Sequence, residues 1–343
     1  MLKRAMVIQE RPLGTLDRRL AVAPMMERTD RHCRFFLRLI SPHALLYSEM
    51  ITSAAIRHGD RARLLDFDAQ EHPLALQLGG CDPRDLAVCA KIAEDWGYDE
   101  VNLNVGCPSG RVQSGRFGAS LMAAPDLVAA CIEAMAAATA LPVTVKCRTG
   151  IAGEINRREG YDNLLNFVDT VAGAGCATFI VHARIAVLGG LSPKQNREIP
   201  PLQYGLVHRL KEDRPNLEII LNGGLRGLDD VRDALARTDG AMIGREAYQN
   251  PYFLAAIEGA LFSRTAAPRH AVIDAYLEYA ARAMAGGTPL HQLSRHVLGL
   301  FQGLPGARAF RRHISQNAHL EGAGVEVIAD AAALVPNSQE AVD

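Results

Sequence analysis

The chain has no Cys-X-X-Cys pair, no long apolar run and almost no net charge. Seven cysteines, an odd and scattered set in a chain of 343 residues, argue against a disulfide framework and favour a reducing, cytoplasmic setting. The most apolar segment, Leu127 to Pro142, carries Glu133 at its centre, so we expect neither a signal peptide nor a membrane span. Because the net charge is -1, only a local cluster of basic residues could indicate a nucleic-acid partner.

Short apolar segments alternate with helical patterns from Leu20 onward. Eight of them are predicted as strands: Leu20–Met25, Ala44–Met50, Pro73–Leu78, Glu100–Val105, Pro142–Cys147, Cys176–Val181, Leu217–Leu221 and Gly240–Ile243. Helical periods between them include Pro83–Trp96, Pro125–Ala138, Tyr161–Ala174, Pro201–Lys211 and Leu228–Arg237. Repeated strand-then-helix units predict an α/β fold, a (β/α)8 TIM barrel. The alternative, a doubly wound open sheet, normally has a glycine-rich first turn, which LAVAPMMERTD does not supply.

The fourth predicted strand ends in a loop that contains a cysteine. Gly106-Cys107-Pro108 follows the apolar strand, and Arg111 and Arg116 come next, with no carboxylate before Asp126. A free cysteine is more often a small buried hydrophobe. This basic, glycine-rich setting at a strand end instead favours a thiol that donates a proton or acts as a nucleophile.

Active sites of TIM barrels lie at the carboxyl ends of the strands, and here nearly every end carries a polar group or glycine. In chain order the ends are Pro24-Met25-Met26, Glu49, Gln77, Asn104 with Cys107, Lys146 with Arg148, His182 with Arg184, Asn222-Gly223-Gly224 and Gly244-Arg245. Gln77 and His182, taken singly, could be satisfied core residues. Lys146 and Arg148 alternate with apolar residues, so we expect them to reach the open end, where they can bind an anion.

The last two strand ends indicate a phosphate site. Asn222-Gly223-Gly224 and Gly244-Arg245 follow the seventh and eighth predicted strands. Barrels often bind phosphate at this place through backbone N–H groups, and glycines permit a close approach. The pattern therefore predicts a cofactor that carries a phosphate.

A separate helical region follows Asn250-Pro251. Helices are predicted at Tyr252–Phe262, Ala271–Ala285 and Leu290–Phe301. From His291 to Leu320 there is no acidic residue, whereas Arg308, Arg311 and Arg312 share one helical face. The face could simply be solvated, but the lack of carboxylates favours an anionic polymer as partner.

These patterns divide the chain into an N-terminal extension (1–19), a catalytic barrel (20–260), a helical domain (265–335) and a tail (336–343). The segment Glu321–Asp343 carries five acidic residues and no basic one, and we expect it to be partly disordered.

The motifs together resemble those of the tRNA-dihydrouridine synthases, and within that family the A-type branch associated with positions 20 and 20a. The matching motifs are APMM (Ala23–Met26), Gln77, VNLNVGCPSGRVQSGRFG (Val101–Gly118), KCRTG (Lys146–Gly150), HAR (His182–Arg184), LSPKQNREIPPL (Leu191–Leu202), NGG (Asn222–Gly224) and GREAYQNP (Gly244–Pro251). Gly110 departs from the acidic residue expected after CPS in this branch.

The resemblance implies a barrel that binds FMN, followed by a helical domain that binds tRNA, with NADPH or NADH as electron donor. FMN contacts would come from Pro24, Met25, Met26, Gln77, Lys146, His182, Asn222, Gly223, Gly224, Gly244 and Arg245. Cys107 would donate a proton to C5 of the uracil after hydride addition at C6.

The substrate contacts expected for tRNA and its uracil are Asn104, Arg148, Arg184, Lys194, Gln195, Arg197, Arg308 and Arg311. The target base would have to leave its stack to reach the barrel. Two other functions remain open: a flavin barrel acting on a free small molecule, like dihydroorotate dehydrogenases or ene-reductases, and a non-enzymatic RNA-binding protein on a decayed barrel. The basic helical region argues against the first, and the complete set of strand-end residues against the second.

Overall fold

The computed structural model describes residues 16–110, 115, 117–153 and 157–337. The strands of these ranges are β1 (Leu20–Val22), β2 (Leu45–Tyr47), β3 (Ile51–Thr52), β4 (Leu74–Gly79), β5 (Glu100–Asn104), β6 (Val143–Arg148), β7 (Ile151–Ala152), β8 (Thr178–His182), β9 (Ala186–Val187), β10 (Glu218–Asn222) and β11 (Gly240–Ile243). Nine of them, all but β7 and β9, form one parallel sheet in the order β2-β1-β11-β10-β8-β6-β5-β4-β3, in which the eight strands from β2 to β4 are those of the barrel. Pairing of β2 with β4 closes this sheet into a barrel, so the predicted (β/α)8 fold is confirmed.

The barrel interior is closed by small and medium-sized side chains. This inner cluster consists of Ala21, Ala23, Leu45, Tyr47, Ala75, Ile180, Ile220 and Met242, each at most 5% exposed. A larger apolar core lies outside the strands, where the helices pack on them. Because both faces of each strand are buried, polar side chains inside the barrel must be paired or must reach its open end.

Helices surround the barrel and follow its strands. Their bounds are Arg31–Ile40, Ser53–His58, Arg61–Leu65, Pro83–Trp96, Pro125–Ala138, Tyr161–Gly173, Tyr204–Asp213, Leu228–Leu235, Arg245–Gln249 and Phe253–Phe262, with short 3-10 turns at Ala69–Glu71, Gly118–Ala123 and Gln195–Arg197. Pro83–Trp96 shows why the boundaries fall where they do. The carboxylate of Asp82 caps its first turn, and Gly97 ends it with φ of 89°.

The C-terminal region consists of the helices Arg269–Ala285, Leu290–Ser294, Ala307–Asn317 and Glu326–Ala333. The prediction of one helix over Leu290–Phe301 is wrong, because the helix stops at Ser294 and a series of turns follows. Within these turns the backbone of Gly299 lies close to Gln249: a Cβ on Gly299 would be 2.5 Å from the Gln249 backbone oxygen.

Asp30 and the helix Arg31–Ile40 hold the C-terminal helices against the barrel. Asp30 caps that helix and pairs with Arg295 and with the His296 ring, whose Nε2 lies 3.1 Å from Oδ1. Burial opposes ionisation of Asp30, but the hydrogen bonds from His296 and Arg295 outweigh it and hold its pKa below the usual range. Tyr279 adds a stacked contact with Phe35, with ring centroids 3.9 Å apart.

The acidic C-terminal segment contains a helix. Its helix Glu326–Ala333 buries Ile328, Ala331 and Ala332 against the neighbouring helices, so this stretch belongs to the helical region. The predicted tail (336–343) and extension (1–19) lie largely outside the described residues. Within the described ranges, no helix combines the length and apolar character needed to span a bilayer.

Candidate active site

The predicted strand-end residues come together at the carboxyl end of the barrel. Cys107 lies in the loop after β5, half-buried, and its Sγ is 3.6 Å from the Ser109 hydroxyl. The backbone of this loop is held from both sides. Its N–H groups at Gly106 and Cys107 donate to Asn104 Oδ1 at 3.1 and 3.0 Å, and the Arg148 guanidinium donates to Gly106 O at 2.9 Å.

Gln77 and Asn104 lie side by side inside the barrel. The Asn104 amide donates to Gln77 Oε1 at 2.8 Å, and the Gln77 amide donates to Asn102 Oδ1 at 2.8 Å. Gln77 is 1% exposed and Asn104 is 8% exposed. Both predicted contact residues therefore already have protein partners, and each amide nitrogen keeps one further hydrogen for a ligand.

Lys146 lies at the open end of β6 without a hydrogen-bond partner among the described side chains. Burial, followed by the nearby charge of Arg148, lowers its pKa to about 8. Burial, followed by the charges of Arg148 and Lys146, also lowers the pKa of His182 well below its usual value. The His182 imidazole is therefore neutral at pH 7. An unpaired ammonium beside a neutral ring is a suitable place for a ligand with negative or carbonyl oxygens.

Arg148 connects the Cys107 loop to the insert between β8 and β10. Besides Gly106, it donates to the backbone oxygens of Ile185 and Asn196, each at 3.0 Å. Burial lowers its pKa to about 10, so it remains charged at neutral pH. We predicted Arg148 as a substrate contact, and these bonds show that it also braces the insert.

The insert carries the predicted residues Lys194, Gln195 and Arg197, all exposed. Asn196, fully buried between them, fixes the insert by exchanging hydrogen bonds with the backbone of Val187 at 2.7 and 3.0 Å. Burial, followed by the charge of Arg245, lowers the pKa of Arg197. Electrostatic interaction with Cys107 contributes to the pKa values of Arg197, Arg148 and Lys146. Of these three cations, Arg148 contacts the Cys107 loop directly, at Gly106 O.

The two glycines after β10 adopt backbone conformations that other residues rarely take. Gly223 has φ of 111° and Gly224 has φ of 78°. A Cβ on Gly223 would lie 2.6 Å from Cδ2 of His182. The glycine therefore allows the His182 ring to pack directly over the backbone.

The remaining predicted phosphate residues have protein partners of their own. Asn222 donates from Nδ2 to Met242 O at 2.8 Å, which ties β10 to β11. Arg245, next to Gly244, pairs with Glu198 at 2.6 Å. Sequence reasoning assigned no role to Glu198, because nothing in the chain marks a contact with a residue 47 positions away.

Four other predicted residues lie at the open end, three of them half-buried and one exposed. Pro24 and Met25 are half-buried after β1, and Met26 is 56% exposed. Arg184 donates to Pro200 O, and its buried Nε has no hydrogen-bond partner in the described part of the chain. This atom is a second unsatisfied donor beside the Lys146 ammonium.

The predicted basic face of the C-terminal region lies on the helix Ala307–Asn317. Ala307, Phe310 and Ile314 are buried, while Arg308 and Arg312 are exposed and Arg311 is half-buried. Within the described ranges none of the three arginines forms an ion pair. The loop arginines Arg111 and Arg116 lie outside the described residues.

The fold and the strand-end residues define a TIM-barrel enzyme with its reaction centre at the carboxyl ends of the strands. Comparison with known sequences gives the family: the dihydrouridine synthase model matches residues 21–335. The chain belongs to the dihydrouridine synthase family, a family of oxidoreductases that modify tRNA.

Similar curated proteins agree with this assignment. The tRNA-dihydrouridine(20/20a) synthase of Shewanella oneidensis is 55% identical over 315 residues, which is 91% of this chain and 92% of that protein. The proteins of the same name from Vibrio cholerae and Pseudomonas aeruginosa are 53% and 54% identical, covering 93% and 89% of this chain and 97% and 92% of their own lengths.

Proposed function

We propose that the protein reduces uridine to 5,6-dihydrouridine at positions 20 and 20a in the D-loop of tRNA, with FMN as cofactor and NADPH as reductant. The observation that carries the proposal is the Cys107 loop at the carboxyl end of the barrel, held by hydrogen bonds to Asn104 and Arg148, in a member of this family. The position assignment follows the names of relatives that are 53–55% identical.

The residues at the open end fit FMN. Among the described residues, the buried Nε atom of Arg184 has no hydrogen-bond partner, and the Lys146 ammonium forms no hydrogen bond there either, as expected of groups that meet a cofactor. Gly223 and Gly224 have positive φ and no side chains of their own, so their backbone N–H groups can approach a phosphate closely, with Arg245 on the neighbouring strand end. Lys146, Arg184 and the two glycines would hold the cofactor, and bound FMN would supply, after reduction by NADPH, the hydride for C6 of the uracil.

Cys107 then completes the reaction as the acid. Hydride addition leaves negative charge on O4 and C5 of the uracil, and the thiol delivers the proton to C5. The backbone bonds to Asn104 and Arg148 hold the thiol loop in place. Lys146 and Arg148 stabilise the negative charge while it exists.

Cations outside the barrel hold the tRNA. A base in the folded tRNA must be extruded to reach Cys107, which costs a few kcal/mol. Phosphate contacts compensate for this cost. Suitable cations are the exposed Lys194 and Arg197 on the insert, and the exposed Arg308 and half-buried Arg311 on the helical region.

Charge reversal of the helical face should weaken tRNA binding. We expect Arg308→Glu with Arg311→Glu to reduce the slope of log affinity against log salt by about 2, because two phosphate contacts are lost. Flavin reduction by NADPH should not change. Arg282→Glu, on an exposed position of the helix Arg269–Ala285, is the control. Unchanged tRNA affinity in the double variant, measured by filter binding, would exclude this face from the interface.

A side chain at Gly223 should disturb the cofactor site. Gly223→Ala introduces about 1–3 kcal/mol of backbone strain and displaces His182, so we expect a weaker FMN complex. The dissociation constant can be measured from quenching of flavin fluorescence. Gly205→Ala is the matched control, because Gly205 lies in a helix with nothing within 4 Å of the added Cβ. Equal FMN affinity in both variants would contradict the proposed cradle.

The function itself is tested by one incubation. The purified protein, after its visible spectrum has been recorded for flavin, is mixed with NADPH and dihydrouridine-free tRNA, and dihydrouridine is mapped by position. We expect product at positions 20 and 20a. Flavin-dependent NADPH oxidation without product in tRNA would instead support a reductase that acts on a free small molecule.

A further inference from the structure

A chain of side-chain hydrogen bonds runs inside the barrel from its amino-terminal end to the Cys107 loop. It links Glu100, Thr144, Asn102, Gln77 and Asn104 in that order. The distances are 2.7 Å from Thr144 Oγ1 to Glu100 Oε1, 2.9 Å from Asn102 Nδ2 to Thr144 Oγ1, and 2.8 Å at each of the two amide contacts that follow. Asn104 Oδ1 then accepts the N–H groups of Gly106 and Cys107.

Glu100 determines which groups donate and which accept along this row of hydrogen bonds. Its carboxylate is fully buried and accepts from Arg18 at 2.7 Å and from the Tyr47 hydroxyl at 2.6 Å. Burial, followed by the charge of Glu100, raises the pKa of Tyr47 well above its usual value, so the phenol keeps its proton and must donate. A carboxylate that receives such donors acts only as an acceptor.

Each hydrogen bond fixes which atom of the next side chain must donate and which must accept. The single hydroxyl hydrogen of Thr144 goes to Glu100, so its oxygen must accept from Asn102. This contact fixes which end of the Asn102 amide faces Gln77. The Gln77 amide in turn fixes Asn104, whose oxygen is left facing the Cys107 loop.

Packing alone does not account for these residues. Barrel interiors are usually filled by branched apolar side chains. Buried amides and carboxylates cost free energy unless every group is paired, and apolar replacements are often at least as stable. This row of hydrogen bonds has every group paired and ends at the Cys107 loop. We therefore attribute it to orientation of that loop rather than to stability of the fold.

We infer that Glu100 and Thr144 are positioning residues that act on Cys107 through the orientation of Asn104. The inference rests on the proposed role of Cys107 as acid. If the amides were reversed, Asn104 would present its Nδ2 hydrogens to the two loop N–H groups, and the loop would lose both hydrogen bonds. A displacement of a reacting group by roughly 1 Å can slow a reaction about a hundredfold.

Thr144→Val tests the inference, because valine keeps the shape and removes the link. We expect product formation by the prereduced holoenzyme, a measurement that bypasses flavin reduction, to slow about tenfold to a hundredfold, with unchanged KM for tRNA. Thr144→Ser should restore the rate. The matched control is Thr178→Val: this buried hydroxyl donates to Glu218 at 2.7 Å in the same part of the barrel but is not a link to Cys107.

A double-mutant cycle separates positioning from a general effect on the fold. If Thr144 acts through Cys107, Thr144→Val adds no further loss in a Cys107→Ala background. An equal loss in both backgrounds, or the same loss in Thr178→Val, would overturn the inference while leaving the acid role intact. Full activity of Cys107→Ala alone would overturn the acid role and the inference with it. Should Thr144→Val not fold, Asn102→Ser interrupts the same chain and carries the same expectation.

Discussion

Cys107→Ala is expected to lower dihydrouridine formation by about a hundredfold to ten-thousandfold, the range contributed by a positioned general acid. Flavin reduction by NADPH should stay at the level of the unmodified protein, since the thiol takes no part in it. Single-turnover mixing of reduced enzyme with tRNA measures the first quantity, and anaerobic loss of flavin absorbance measures the second. The two rates together locate the defect in the uracil half of the reaction.

Cys81→Ala is the matched control for this variant. Cys81 and Cys107 are the two half-buried cysteines of the chain, whereas the other five are buried. The Cys81 variant should be fully active. A loss of only a few fold in Cys107→Ala, or an equal loss in both variants, would remove Cys107 from the role of acid.

The barrel could be predicted from the sequence because its strands are short apolar segments at regular spacing. Each of the eight predicted strands overlaps a strand of the barrel, and Glu100–Val105 differs from β5 only at its last residue. Reading the ends of those strands located Lys146, His182 and Asn222 at one end of the barrel, since parallel strands share their direction.

Contacts between distant parts of the chain could not be predicted in this way. Arg148 reaches Asn196, 48 residues further along, and Arg245 reaches back to Glu198. No local pattern distinguishes these arginines from ones that face solvent or ligand. The turns after Ser294 were predicted as helix because their apolar spacing fits a helical period, and the close approach of Gly299 to Gln249 leaves no local signal.

Hydrogen bonds between strands in the amino-terminal half of the barrel interior could not be predicted from the sequence either. Alternation placed Asn102 and Asn104 on one face of β5, which is correct. It did not reveal that Thr144 and Glu100 continue the same row of hydrogen bonds, because this requires knowing that β6 lies beside β5 in the observed register. Polar residues in a predicted barrel strand therefore deserve to be considered as a connected set.

Lys146→Met is expected to have two opposite effects. Methionine keeps the length of the side chain and removes its charge, so FMN binding and dihydrouridine formation should both fall sharply. The protein freed of flavin should become more stable, because the lysine of the native state is charged at a cost. Its pKa of about 8 lies below the ordinary value of 10.5, a difference that corresponds to about 3 kcal/mol.

The gain in stability should depend on pH in a defined direction. Below pH 8 lysine is protonated in both the folded and the unfolded protein, and the full cost is present. Between about pH 8 and 10.5 the unfolded state binds the proton and the folded state does not, so the stability of the unmodified protein rises with pH. Lys146→Met lacks this rise, and the difference in free energy of unfolding should shrink across that window.

Urea unfolding at pH 7 and pH 9.5 measures the difference, with Lys91→Met as control because Lys91 is 54% exposed on a helix surface. That control should change stability by less than about 0.5 kcal/mol at either pH. A Lys146 variant that is less stable than the unmodified protein at pH 7, or whose difference does not vary with pH, would show that the ammonium is already compensated within the protein. The expected result would instead mean that the chain maintains an unfavourable charge at the barrel mouth, which a bound anionic cofactor relieves.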